Sequence, residues 1–150
     1  MKPPNTGQET GAVERLRISS AAPWEPIVGY SRAVRVRDTV YVAGTTASDA
    51  EGRVVGEGDA YAQTRYALEK VKWALHQARA ARRHVVCTRF YVTDISRWRE
   101  YGRAHAEFFG EIRPALTMVE VQGLVDPKML IEVEAIAVLD SEPEDQEDDE

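Results

Sequence analysis

The stretch IEVEAIAV carries two carboxylates, Glu132 and Glu134, two residues apart among apolar neighbours. In an extended chain the side chains alternate between faces. Ile131, Val133, Ala135 and Ala137 therefore share one face, and Leu130, Glu132, Glu134, Ile136 and Val138 share the other. Charged groups are seldom buried unless paired. Two of them on so apolar a face mean either that the face meets water or that a carboxylate lines a pocket, where it can do acid–base work. Upstream, RPALTMVEV alternates Thr117, Val119 and Val121 with Leu116, Met118 and Glu120. A loop with Gly123 and Pro127 joins these two strands.

Other chemistries find less support. His76, His84 and His105 lack ligand spacing with one another or with Cys87, so no metal site is expected. His105 falls on the apolar stripe of a helix, the usual place of a hydrogen-bonded core histidine, and His76 lies off its stripe and reads as solvated. Cys87, in VVCTRFYV, reads as a small buried hydrophobe. Neither a glycine-rich phosphate loop leading from strand to helix nor a serine nucleophile elbow is present.

The elements that must position these residues fit one α+β domain over residues 14–140. ERLRI is a short strand, and SSAAPWEPIVG is a loop punctuated by Pro23 and Pro26, in which Trp24 and Ile27 cover something, within the chain or on a neighbouring subunit. Residues 30–36 and 39–43 form a hairpin around Arg37-Asp38, with Gly44 marking a bend or a close backbone approach. A loop through Gly52, Gly56 and Gly58 leads to Asp59, the N-cap of a helix over residues 60–79. Its stripe is Tyr61, Thr64, Leu68, Val71, Leu75 and Ala78, with Ala67 and Ala74 letting a sheet approach. Arg79, Arg82 and Arg83 read as a basic helix end. A strand follows over 85–92, then a helix over 97–109 with Asp94 or Ser96 as its cap, a stripe of Trp98, Tyr101, His105 and Phe108, and Gly110 as its stop. Two helices cannot cover both faces of a sheet of five to six strands. They belong on one face, and the other needs a partner.

Charge is unevenly placed. Seven of the 25 acids fall in SEPEDQEDDE at residues 141–150, leaving 18 against 19 Lys and Arg in the rest of the chain. The tail is expected to be disordered, as is a flexible arm over residues 1–13. A nearly neutral domain is poor ground for binding nucleic acid. No apolar run is long enough to cross a membrane, MKPPNTGQETG lacks the apolar core of a signal peptide, and the single cysteine fits a reducing cytoplasm.

The hairpin ending VYVAGTTA, the helix DAYAQTRYALEKVKWAL, the strand VCTRFYVTDISRW and the pair RPALTMVEV and LIEVEAIAV resemble, in order and spacing, the reactive intermediate deaminase (Rid) family, also called YjgF or L-PSP endoribonuclease. The resemblance implies a chorismate-mutase-like fold and a homotrimer with a central barrel and small-molecule clefts between subunits. It also implies cofactor-independent hydrolysis of reactive enamines and imines to ketones and ammonia. Carried over by position, it places Tyr30, Ala43, Gly44, Ser96, Leu116, Thr117 and Met118 around the substrate and makes Glu132 the acid that handles water. Three positions depart from the archetype. Leu116 stands where the deaminases have the arginine that grips a substrate carboxylate, Ala43 stands where a serine is common, and Ser96 where an asparagine is common. A leucine cannot bind a carboxylate as arginine does. Three functions stay open: hydrolysis of a small neutral or weakly charged imine or enamine, non-catalytic metabolite binding or a structural trimer, and, with least support, RNA cleavage.

Overall fold

The computed structural model describes residues 12–140, so the acidic tail and nearly all of the expected N-terminal arm lie outside the described residues. In chain order the strands are β1 (Arg15–Ile18), β2 (Ala33–Val36), β3 (Thr39–Thr46), β4 (Val85–Val92), β5 (Ala115–Glu120) and β6 (Ile131–Val138). The helices are α1 (Trp24–Val28), α2 (Ala60–Gln77) and α3 (Trp98–Phe109). One six-stranded sheet runs in the order β1-β2-β3-β6-β4-β5. Among the described strands only β4 and β5 pair in parallel, joined by the crossover through α3. Strands β5 and β6 are joined by a loop but are not neighbours, because β4 lies between them.

The alternation read in β6 is the axis of the core. Ile131, Val133, Ala135 and Ala137 are each at most 1% exposed on the helix-facing side, while Glu132, Glu134 and Ile136 are half-buried on the other. Against that side α2 lays Leu68, Val71 and Leu75, all fully buried, with Ala67 and Ala74 keeping the helix close. Burial of each large side chain contributes roughly 1.5–3 kcal/mol. Asp59 caps α2 by accepting from Ala62 N at 2.9 Å. From α3 come Tyr101, Phe108 and Phe109, together with His105, whose Nε2 lies 2.9 Å from Thr88 Oγ1 on β4. Both long helices thus cover one face, and the other is open. Tyr41 and Val138 on that open face are 52% and 42% exposed.

Several local expectations need correction. The SSAAPWEPIVG segment is not all loop. Pro23 sits at the N-cap and Pro26 within the first turn of α1, where the missing N–H would have no intrahelical partner anyway. Ile27 is 80% exposed in the protomer, so of the two expected places for its cover only a neighbouring subunit is left. The first hairpin strand begins at Ala33, not Tyr30, and its partner continues beyond Ala43 to Thr46 across a bulge. Helix α2 ends at Gln77 because Arg79 adopts a left-handed φ of 63°. Arg82 serves the other helix, donating to Phe108 O near the end of α3 at 2.9 Å. Asp94 caps a short 3-10 turn that precedes α3, and Trp98, at the start of that helix, is 49% exposed. Cys87 is half-buried where full burial was expected. No described helix is long and apolar enough to cross a membrane.

Candidate functional site

The bulge in β3 creates the site. Its register against β6 shifts between Val42 and Thr45, with Gly44 inside the irregular step. A Cβ on Gly44 would collide with the Glu132 carboxylate, so glycine is what lets that carboxylate fold over the β3 backbone. Thr45 turns inward, fully buried, and its Oγ1 donates to Ala43 O at 2.8 Å. A second wall comes from α1 and the residues after it. Gly29, at a φ of 84°, closes that helix with its N–H on Glu25 O at 2.8 Å and redirects the chain through Tyr30 to Arg32. The third wall is the segment before β6. Buried Gln63 on α2 pins it, donating to Lys128 O at 3.0 Å and accepting from Leu130 N at 2.8 Å.

These walls enclose a cleft of about 430 Å³ lined by Tyr30, Arg32, Ala43, Gly44 and Glu132, with Trp24, Val28, Val125 and Met129 as its apolar part. A second hollow of about 400 Å³ shares Gly44 and Glu132 and adds Tyr91 and Glu134. Burial raises the Glu132 carboxyl above its ordinary value; the Arg32 charge opposes that shift and Glu134 adds to it. No hydrogen bond to the Glu132 carboxylate comes from the described residues. Glu134, by contrast, accepts from the Tyr91 hydroxyl and has Arg89 Nη1 at 4.0 Å. A half-buried, unbonded carboxylate sharing a cleft with a cation and an apolar wall is a base that can hold a water.

The structure brings Tyr30, Ala43, Gly44 and Glu132 into one cleft. Ser96, Leu116, Thr117 and Met118 stand apart from it. Ser96 lies in the turn capped by Asp94. Leu116 pairs across β4 with the Thr88 row, whereas Glu132 pairs with the Tyr91–Val119 row. Two strand spacings and three residues separate them, roughly 14 Å between Cα positions at about 4.8 Å per strand and 3.3 Å per residue. Met118 packs against the core, and Thr117 is exposed in the row of Arg89 and Glu134.

Arg32 was not anticipated. It is 4% exposed, and its one visible signal was a charge just ahead of an apolar strand. Lys70, also missed, lies three residues beyond Ala67 of the α2 stripe. Its Nζ donates to Thr46 O, Ser48 O and Ser48 Oγ at 2.8, 3.0 and 3.1 Å, holding the end of β3. Burial, helped by the Arg32 charge, lowers Lys70 to about 8. Among the described residues no group of three or more His, Cys, Asp and Glu is placed to hold a metal.

Comparison with known proteins agrees with this fold. The sequence profile of the family described as endoribonuclease L-PSP matches residues 19–139. An uncharacterised Streptomyces coelicolor protein is 38% identical over 121 residues, covering 81% of this chain and 90% of its own. The 3-aminoacrylate deaminase RutC of Acinetobacter baylyi is 37% identical over 112 residues, covering 75% of this chain and 88% of its own. Among solved structures, a Mycobacterium tuberculosis member of the YjgF/YER057c/UK114 family superposes with a TM-score of 0.77 at 51% identity, covering 84% of this chain and all of that one.

Proposed function

The chain belongs to the endoribonuclease L-PSP (YjgF, Rid) family, and from that premise we propose that it hydrolyses a small imine or enamine in the cleft at the β3 bulge. The observation that carries this reading is the Glu132 carboxylate, half-buried over Gly44, with no hydrogen bond from the described residues and an apolar wall at hand. The name of the Acinetobacter relative, a 3-aminoacrylate deaminase, supports the reaction class.

In the proposed mechanism Glu132 takes a proton from a water as its oxygen attacks the imine carbon, giving a carbinolamine. Glu132 hands that proton to the nitrogen, then takes the proton of the carbinolamine hydroxyl and passes it to the nitrogen as well, so that the C=O forms, the C–N bond breaks and neutral ammonia leaves. An enamine enters the same route after protonation at carbon gives its imine. Backbone amides around Gly44 and the Tyr30 ring orient the substrate.

The proposed assembly is a homotrimer with clefts between subunits. Leu116, Thr117 and Met118 are too far from Glu132 to share its cleft within one protomer, so any contact they make with substrate is to a neighbouring copy's cleft. Tyr41 and Val138 on the open sheet face give a neighbour an apolar surface to cover. A second reading, ligand binding without turnover, draws on Leu116, which removes the archetypal carboxylate clamp. RNA cleavage draws on nothing in the cleft, whose lining contains no histidine.

The test is ammonia release from imines generated in solution, with Glu132→Gln alongside the native chain. Acceleration that Glu132→Gln loses supports the deaminase reading. Tight metabolite binding with no acceleration supports the second.

A further inference from the structure

The cleft holds a cation whose partner the described residues do not supply. Among those residues the Arg32 guanidinium makes a single hydrogen bond, from Nη2 to Gly44 O, and its buried Nε has none. Arginine does not give up its proton inside a protein, so the charge persists despite burial. A charge taken out of water is costly unless paired. The candidates for pairing are engaged elsewhere or too distant. Glu25 is held by Ser20, accepting from its N at 3.0 and 3.3 Å and from its hydroxyl. Glu25 and, more weakly, Glu132 act on Arg32 through the field, with no ion pair to either among the described residues. The Tyr30 ring, its centroid 5.7 Å from the guanidinium carbon, offers partial compensation.

Arg32 also borders a cavity of about 380 Å³ on the side of Lys70 and Trp73. Its Nη2 nevertheless bonds Gly44 and its carbon faces Tyr30, both residues of the cleft, so the charged head belongs to the cleft.

We propose that Arg32 is the anion-recognition residue of this cleft and that the imine or enamine taken there carries a carboxylate. The clamp absent at Leu116 on β5 is supplied just ahead of β2, within the protomer that supplies Glu132. This rests on the hydrolase reading above only for the word imine; the recognition of a carboxylate stands on the unpaired guanidinium.

The experiment uses the full chain, native and as Arg32→Gln and Arg32→Lys, with folding checked by thermal melting. One arm measures kcat/KM for the imine of a small amino acid and for that of its methyl ester. The other measures binding of a short 2-oxo carboxylate, the product the first imine would release, against its methyl ester. The native chain should favour the carboxylate in both arms, and Arg32→Gln should cut the preference about 100-fold. Arg32→Lys should keep part of it, a point charge without the fork. Equal treatment of carboxylate and ester by the native chain overturns the proposal even if Arg32→Gln fails to fold. So does a carboxylate preference that Arg32→Gln retains. If neither imine is hydrolysed but the binding preference holds and depends on Arg32, the hydrolase reading falls and Arg32 keeps its role.

Discussion

His105 and Glu132 lie on opposite sides of one sheet, each partly desolvated and each shifted toward its neutral form. Burial lowers His105 to about 4 and raises Glu132 above the ordinary carboxyl value. Their surroundings differ. His105 bonds Thr88 and packs among Phe90 and Phe109, with ring centroids at 5.2 and 4.6 Å. Its needs are met inside the core. Glu132 sits over a glycine in a cleft, bonded to no described residue and near a cation equally short of partners. Burial with satisfaction marks structure, and burial without it, at a cavity wall, is the feature on which the proposed site rests.

That contrast can be broken by exchanging the two outcomes. Glu132→Gln should lower imine turnover by about 10²–10⁴-fold, read as kcat by ammonia release. It should leave the melting temperature at neutral pH level or raised, because burial, which raises the Glu132 carboxyl above its ordinary value, disfavours its charge in the native state and the variant carries none. A variant that melts early and keeps its rate would turn Glu132 into a structural residue.

His105 should do the reverse. Its native value lies below its free value of 6.5, so the unfolded chain binds the extra proton between about 6.5 and 4. Stability is therefore lost as pH falls through that window, by up to roughly 3 kcal/mol at pH 4. Denaturant unfolding of the native chain and of His105→Phe across pH 4–7 should show a steeper decline in the native chain, with turnover at pH 7 alike in both. Parallel declines would mean that His105 does not titrate on unfolding as the core packing requires.

Gly44→Ala sharpens the comparison from the cleft side. The added methyl must displace the Glu132 carboxylate, the flexible end of its side chain. A loss of about 10–100-fold in kcat/KM, with an altered Glu132 position in a crystal structure, is the expected result. The smallest effect belongs to a residue in neither region. Asp59→Ala should cost about 1 kcal/mol in chemical unfolding through the lost cap of α2 and leave turnover alone.

Sequence revealed most of the frame and half of the cleft. The strict two-residue period of β6 separated its two faces, and Asp59 followed by a long apolar stripe located α2. Both signals are local. Helix α1 was hidden because Pro23 and Pro26, two prolines in four residues, read as a breaker, although an N-cap and a first turn tolerate them. Arg32 was hidden because its surroundings come from residues distant in the chain: Gly44 at the bulge, Glu25 on α1 and Glu132 on β6. The distance between Leu116 and Glu132 was equally out of reach, since it depends on β4 inserting between β5 and β6. Periodicity reports a residue's own face. It does not report which strand lies next.

The most direct test of the account is the pH dependence of kcat/KM for imine hydrolysis in the native chain, Glu132→Gln and His105→Phe. With Glu132 as the base, the native rate should rise with pH through an acid limb lying above 4.5, since burial keeps its proton on longer. Glu132→Gln should lose that limb along with most of the rate, and His105→Phe should retain it. An acid limb unchanged in Glu132→Gln would contradict the account and move the chemistry to another group.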